Sequence, residues 1–229
     1  MGGSIIKPVV SAEKAVAQIQ EEQSIMVGGF NYGGIPYTVI DALLDSGVHN
    51  LVLISNDTAY DDVGHGKLVS AGRVKKVISS HIGLNKSTQK LFHEGQLELE
   101  ITPQGTFVER IRAGGYGLGG FLTPTGVGTT AAEGKRIIEA GGKEYLLELP
   151  LRADYALIRA YKADRYGNLI YFGTNRNFNP IMATAAETVI AEVDAVEEVG
   201  SFNPNEVVTP GILVDMLVLK GDSYYASRT

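Results

Sequence analysis

The sequence predicts an α/β fold: an open, mostly parallel sheet flanked by helices, with an antiparallel hairpin attached. Three observations predict it. Short unbroken apolar runs, such as residues 24–27 and 51–54, read as strands covered on both faces, as parallel sheets require. Segments with apolar residues at helical spacing alternate with these runs, and that alternation builds a parallel sheet. A glycine cluster at 28–34 stands where a strand gives way to a helix, which is where open α/β sheets bind ligands.

In chain order, residues 11–22 read as a helix, with Ser11 as N-cap, Glu13 in the first turn, and Ala15 and Ile19 on one face. Residues 24–27 are a buried strand running into glycines. Pro36 opens a helix through Leu43 and Leu44, with Gly47 past its end. Residues 51–54 and 74–78 are strands, Lys75 and Lys76 marking an edge or rim. Residues 87–93, 107–111 and 137–140 are helix candidates. Segments 156–161 and 169–172 flank a hairpin turn, Asp164-Arg165-Tyr166-Gly167-Asn168. Residues 188–193 and 213–219 close the chain as strands. No linker or fixed-period repeat divides it, so residues 1–229 are expected to form one domain, with 1–4 a cloning remnant or a disordered start.

Composition narrows the function classes. Lys+Arg 20 against Asp+Glu 26 gives a net charge of -6, which argues against a nucleic-acid partner. Hydrophobic residues at 44% allow a core, and the absence of cysteine removes disulfides, thiolate metal sites and a thiol nucleophile. No apolar run reaches the ~18 residues of a membrane span, and no signal-peptide layout opens the chain, so the expected compartment is the cytoplasm. The 28 glycines among 229 residues are the anomaly.

The first glycine cluster is Gly28-Gly29-Phe30-Asn31-Tyr32-Gly33-Gly34-Ile35-Pro36. It follows a strand and precedes a helix, where glycine lets backbone approach a ligand and helix N–H groups attract anions. A pocket for a phosphate, pyrophosphate or carboxylate is favoured over a plain tight turn. A side chain at Gly29 is then expected to fill ligand space. In the second cluster Gly115, Gly117 and Gly120 spell G-x-G-x-x-G. A helix-like Glu109-Arg110-Ile111-Arg112 precedes them and Phe121-Leu122-Thr123-Pro124 follows, the wrong order for a dinucleotide site. Residues 114–128 read instead as a flexible or ligand-covering loop. There is no P-loop.

Asp57, Asp61, Asp62 and His65 are a candidate metal cluster, but a solvated loop is preferred and no metal is expected. Ser79, Ser80 and His81 lack the G-x-S-x-G elbow of a serine hydrolase. Gln104, in Thr102-Pro103-Gln104-Gly105-Thr106, has two readings of equal standing: an amide donating to a substrate carbonyl or carboxylate, or part of a helix-capping turn built by Gly105 and Thr106.

Several segments together resemble the α subunit of family I coenzyme A transferases. They are Ile25-Met26-Val27-Gly28-Gly29-Phe30 with Gly34-Ile35-Pro36, Ser55-Asn56-Asp57, Pro103-Gln104-Gly105-Thr106 through Gly115, Leu122-Thr123-Pro124-Thr125-Gly126, Arg176-Asn177-Phe178-Asn179, and Val208-Thr209-Pro210-Gly211. The version Gly117-Leu118-Gly119-Gly120-Phe121 is similar to acetate/acetoacetate/butyrate enzymes. The resemblance implies a CoA-transferase-like fold and transfer of coenzyme A from an acyl-CoA to a free carboxylic acid. The family's nucleophile is a glutamate of the β subunit in a Glu-Asn-Gly setting. This chain has no Glu-Asn-Gly, and Glu94 and Glu133, each followed by Gly, sit at helix ends.

The resemblance therefore implies half an enzyme, with no catalytic nucleophile of its own and a β-subunit partner in an α2β2 or larger assembly. It implies that Gly28, Gly29, Phe30, Asn31, Tyr32, Gly33 and Gly34 form a CoA-associated loop and that Gln104 orients the acyl group. Coenzyme A is a substrate, and no permanent cofactor is expected. Two other readings remain: a non-catalytic ligand-binding or regulatory domain, and an acyl-CoA thioester hydrolase.

Overall fold

The computed structural model of the chain describes residues 6–221, so the expected remnant at 1–4 lies outside the described residues. The first half contains Val9–Val10 (β1), Ala12–Val16 (α1), Ser24–Val27 (β2), Tyr37–Asp45 (α2), Leu51–Asp57 (β3) and Gly66–Ser70 (α3). Val74–His81 (β4), Lys86–His93 (α4), Glu98–Ile101 (β5) and Gln104–Gly115 (α5) follow. The second half begins with Phe121–Thr123 (β6), Ile137–Ala140 (β7), Lys143–Glu148 (β8) and Ala153–Arg159 (β9). Then come Lys162–Asp164 (β10), Leu169–Ile170 (β11), Asn179–Met182 (α6), Ala186–Val193 (β12), Ala195–Glu197 (β13) and Met216–Leu219 (β14).

Eight strands make one parallel sheet in the order β1-β14-β12-β9-β2-β3-β4-β5. Two three-stranded sheets accompany it, β11-β10-β13 and the antiparallel β6-β8-β7. Strand order runs outward from β2 on one side and from β9 on the other, so it reverses between them. The crevice beyond the carboxyl ends of β2 and β9 is thus the topological switch point.

The sheet is covered on both faces because its strands are apolar on both. Along β2, Ile25 and Val27 pack with Ile40 and Leu43 of α2, while Met26 packs with Phe107 and Ile111 of α5 and Met182 of α6. That alternation is the period of a strand, and it explains the unbroken apolar run. Among the described residues no helix is long and apolar enough to cross a membrane.

Four expectations change and one choice between edge and rim is resolved. Residues 137–140 are strand β7, not a helix: Gly141 and Gly142, at φ of 60° and 72°, make a two-residue turn into β8, a geometry that matches sheet twist. Helix α1 stops at Val16, although Ser11 caps it as expected through Lys14 N–H; Gln20 N–H turns to Gln23 Oε1 (2.7 Å) and Glu22 takes φ 68°. The Asp164–Asn168 hairpin joins β10 to β11, and β9 is a separate strand of the main sheet. The last strand starts at Met216, after a 3-10 turn at Gly211–Leu213. Strand β4 is internal, so Lys75 and Lys76 form a rim, paired with Glu22 and Glu100.

Candidate functional site

The 28–36 loop leaves β2 at the switch point and is held along its length by long-range hydrogen bonds. Gly29 N–H donates to Asn177 Oδ1 (3.1 Å), and Asn177 Nδ2 donates to Gly33 O (3.0 Å). Asn179 Nδ2 donates to Gly34 O (3.0 Å), while Arg159 N–H donates to Asn179 Oδ1 (2.8 Å). Asn31, at φ 55°, donates its N–H to Asp57 Oδ2 (3.0 Å). Phe30 and Gly33 exchange backbone hydrogen bonds, closing the tip. Tyr32 stacks on Tyr60 with centroids 4.9 Å apart. Phe30 and Tyr32 remain 49% and 40% exposed, so the tip presents rings and the base does not.

The space that each glycine leaves is taken by the chain itself. A Cβ on Gly28 would overlap Asn179 Oδ1, and one on Gly33 would lie 2.7 Å from Asn175 Oδ1. At Gly34, φ +75° combines with Asn175 O at 2.5 Å. A Cβ on Gly29 would meet Ile35 Cγ1 at 2.6 Å, so the chain's own packing already restricts that position. These glycines let a strand–helix loop dock against 175–179.

The N-terminus of α2 is occupied by a carboxyl group of the chain itself. Thr38 and Val39 N–H donate to Glu192 Oε2 (2.8 and 3.2 Å), and Glu192 is 0% exposed on β12. Burial pushes its carboxyl up to about 7, against the pull of Arg159 and the helix amides. Arg159 Nε lies 3.6 Å from Glu192 Oε1, its Nη2 donates to Asp194 Oδ1, and Lys220 Nζ is 3.0 Å from the same oxygen. Burial raises the Asp194 carboxyl, but these hydrogen bonds outweigh it and hold the pKa below the usual value. Beside this network, Arg159, Ala160, Tyr161, Phe172, Asn175 and Asp194 line a cavity of about 70 Å³.

Neither polar cluster gathers into a reaction centre. Asp57 accepts from Asn31, Asn56 and Ala59, and Asp61 accepts from Ser87 N–H at the start of α4. His65 Nε2 lies 2.8 Å from Asp57 O, and burial lowers its pKa despite the Asp57 carboxylate. Among the described residues no three His, Asp or Glu are placed to hold a metal. Ser79 and Ser80 hydroxyls donate to Asn56 O.

Gln104 is the exposed first residue of α5, at the carboxyl end of β5. Pro103 is the N-cap and supplies no side-chain hydrogen bond, and Thr106 Oγ1 is buried without a partner, so Gly105 and Thr106 do not build a capping turn. Three strand spacings separate β5 from β2, about 14 Å. Of the expected loop at 114–128, Gly114 and Gly115 end α5 against Leu151 O and Thr184 Oγ1 and residues 121–123 form β6, while 116–120 and 124–128 are turns and irregular chain.

Sequence reasoning missed Glu192, Arg159 and the Asn175 contact. Glu192 left one signal, a lone acid inside the apolar run Val189-Ile190-Ala191-Glu192-Val193, where an unpaired charge would be costly.

The sequence model of the family described as "Coenzyme A transferase" matches residues 9–220. The chain is 48% identical over 215 residues to the acetate CoA-transferase subunit alpha of Escherichia coli K12, covering 94% of this chain and 98% of that one. It is 47% identical over 210 residues to the acetoacetyl-CoA:acetate/butyrate CoA transferase alpha subunit of Clostridium acetobutylicum, covering 92% and 96%. The solved apoenzyme of an acyl-CoA transferase from Escherichia coli O157:H7 superposes with a TM-score of 0.86 at 24% identity. That alignment covers 98% of this chain and 49% of the solved one, so the chain spans about half its length and shares its fold. On the match across residues 9–220 and near-half identity over almost its whole length, this chain belongs to the coenzyme A transferase family.

Proposed function

We propose that this chain is the α subunit of a short-chain acyl-CoA:carboxylate CoA-transferase of the acetate/acetoacetate/butyrate class. It works in the cytoplasm with a β subunit, as an α2β2 or larger assembly. The observation that carries this is the 48% and 47% identity, over almost the full length of both partners in each comparison, to two chains named alpha subunits.

In this reading a glutamate of the β subunit attacks the acyl-CoA thioester. An acyl-glutamyl anhydride forms, and coenzyme A returns to it to give a glutamyl thioester and release the first acid. The second acid then takes the coenzyme. A carboxylate is a weak nucleophile in water, so the step depends on holding it against the thioester in a shielded site.

This chain supplies the wall. Gly28, Gly29, Gly33 and Gly34 give the loop its shape through their packing on 175–179, and Phe30, Asn31 and Tyr32 are the part of it that coenzyme A touches. Gln104 donates its amide to the acyl oxygen as charge develops there. The span of about 14 Å between β2 and β5 suits a substrate with a long arm, since a small acid alone does not reach both ends.

Reconstitution tests the proposal. Each chain purified separately should lack transferase activity, and the mixture should acquire it. Turnover by this chain alone would contradict the division of labour, and thioester cleavage without an acceptor acid would favour the hydrolase reading.

A further inference from the structure

We infer that a second copy of this chain docks on the free edge of β7, strand against strand and antiparallel, about a two-fold axis at Ile137. The inference goes beyond the transferase reading and supplies the contact between like chains that its α2β2 assembly needs. In the sheet β6-β8-β7 the outer side of β7 is open among the described residues. Leu147 N–H donates to Arg136 O (2.9 Å), and in an antiparallel ladder that turns the backbone groups of Ile137 and Glu139 away from β8. Among the described residues they meet no other partner. The ladder has no bulge and β7 no proline, two of the devices that keep an edge from pairing.

Charge selects the occupant. Glu139 lies directly opposite Glu144 in the β7–β8 ladder, and both are exposed. Like charges so placed destabilise a sheet, and among the described residues no ion pair relieves either carboxylate. An axis at Ile137 sets Lys135 of each copy opposite Glu139 of the other, since positions equally far before and after the axis pair in an antiparallel ladder. Strand alternation puts Lys135 and Glu139 on the same face. Lys135 Nζ also holds Glu148 Oε1 (2.6 Å), yet its side chain stays 28% exposed, so it serves both carboxylates. Arg136, exposed and in no ion pair among the described residues, is a second cation at the same end.

The basic start of one β7 thus meets the acidic end of the other, twice, as a two-fold contact requires. Ile137, 52% exposed in the single chain, faces its own copy at the centre and is covered there. A neutral or acidic strand on this edge would leave Glu139 and Glu144 facing each other unrelieved, so the edge favours a copy of itself. Pairing joins two three-stranded sheets into one of six strands. None of the residues given to coenzyme A or to the acyl group lies on β7.

The test exploits the absence of cysteine from the chain. With Ile137→Cys the two thiols stand on Cα atoms about 5.5 Å apart, within the span of a disulfide. With Ala140→Cys the same register holds them roughly 20 Å apart. Oxidation of the α–β complex should therefore link two copies of this chain through position 137 and not through 140. Adding Glu139→Lys to Ile137→Cys sets like charges opposite each other across the axis and should slow the linking about tenfold or more. The thermal midpoint of Glu139→Lys should hold or rise, because Glu144 then faces a cation. No link at 137, equal linking at both positions, or a rate indifferent to Glu139→Lys would overturn the inference. Linking at 137 in a complex without transferase activity would uphold the contact and break the transferase reading instead.

Discussion

The two glycine-rich regions look alike in sequence and differ in what touches them. At 28–34, all four glycines have their open side occupied by Ile35 or by Asn175, Asn177 and Asn179, and the loop is bonded to β3 and to 175–179. At 114–128 the glycines divide. Gly114 and Gly115 let a helix end pack closely, whereas Gly117, Gly119 and Gly128 have nothing within 4 Å. Glycine density therefore does not mark a ligand site. In the first region other parts of the fold fix the loop's shape at a strand end, which is what the proposed coenzyme A contact requires of it.

The sharpest break of this contrast is Gly34→Ala. It forces a Cβ onto Asn175 O at φ +75°, combining strain with overpacking, and should cost about 2–4 kcal/mol in denaturant unfolding, with transferase activity lost. An unchanged midpoint would show that the loop is not fixed as described. Next comes Gln104→Ala, at the exposed start of α5. Its kcat should fall roughly ten- to a thousand-fold with unfolding unaltered, whereas a change in KM alone would remove its role in the transition state.

Glu192 sharpens the contrast through pH, because it anchors α2 directly after the first loop. Its carboxyl titrates at about 7 in the fold against an ordinary 4.5. The folded chain thus keeps a proton that the unfolded chain releases, so this contribution is full below about pH 4.5 and is lost as pH rises towards 7. Wild-type stability should fall relative to Glu192→Gln across that window, and parallel profiles would refute the linkage. The smallest effect belongs to the second region: Gly119→Ala, with open space around it, should shift stability by no more than about 0.5 kcal/mol.

The sheet was legible because its signal is local. Apolar runs such as 51–54 and the cap at Ser11 act within a few residues. The β7–β8 hairpin was legible too, since Gly141-Gly142 between Ile-Ile-Glu-Ala and Lys-Glu-Tyr-Leu marks a two-residue turn; the helical reading of 137–140 passed over it. The site was legible only in part. The glycine loop announced itself, but its fixing partners Asn177 and Asn179 lie 144 to 148 residues away, and Glu192 reaches α2 across 153 and 154. Such pairings follow from the strand order, in which β9 returns beside β2 and β12 beside β9, and no local pattern encodes that.

Division of labour between two chains is tested most directly by intact-mass analysis of the mixed subunits after exposure to acyl-CoA without an acceptor acid. A coenzyme A adduct confined to a glutamate of the β subunit, with this chain at its unmodified mass, is the expected result. An adduct on any acidic side chain of this polypeptide would contradict it.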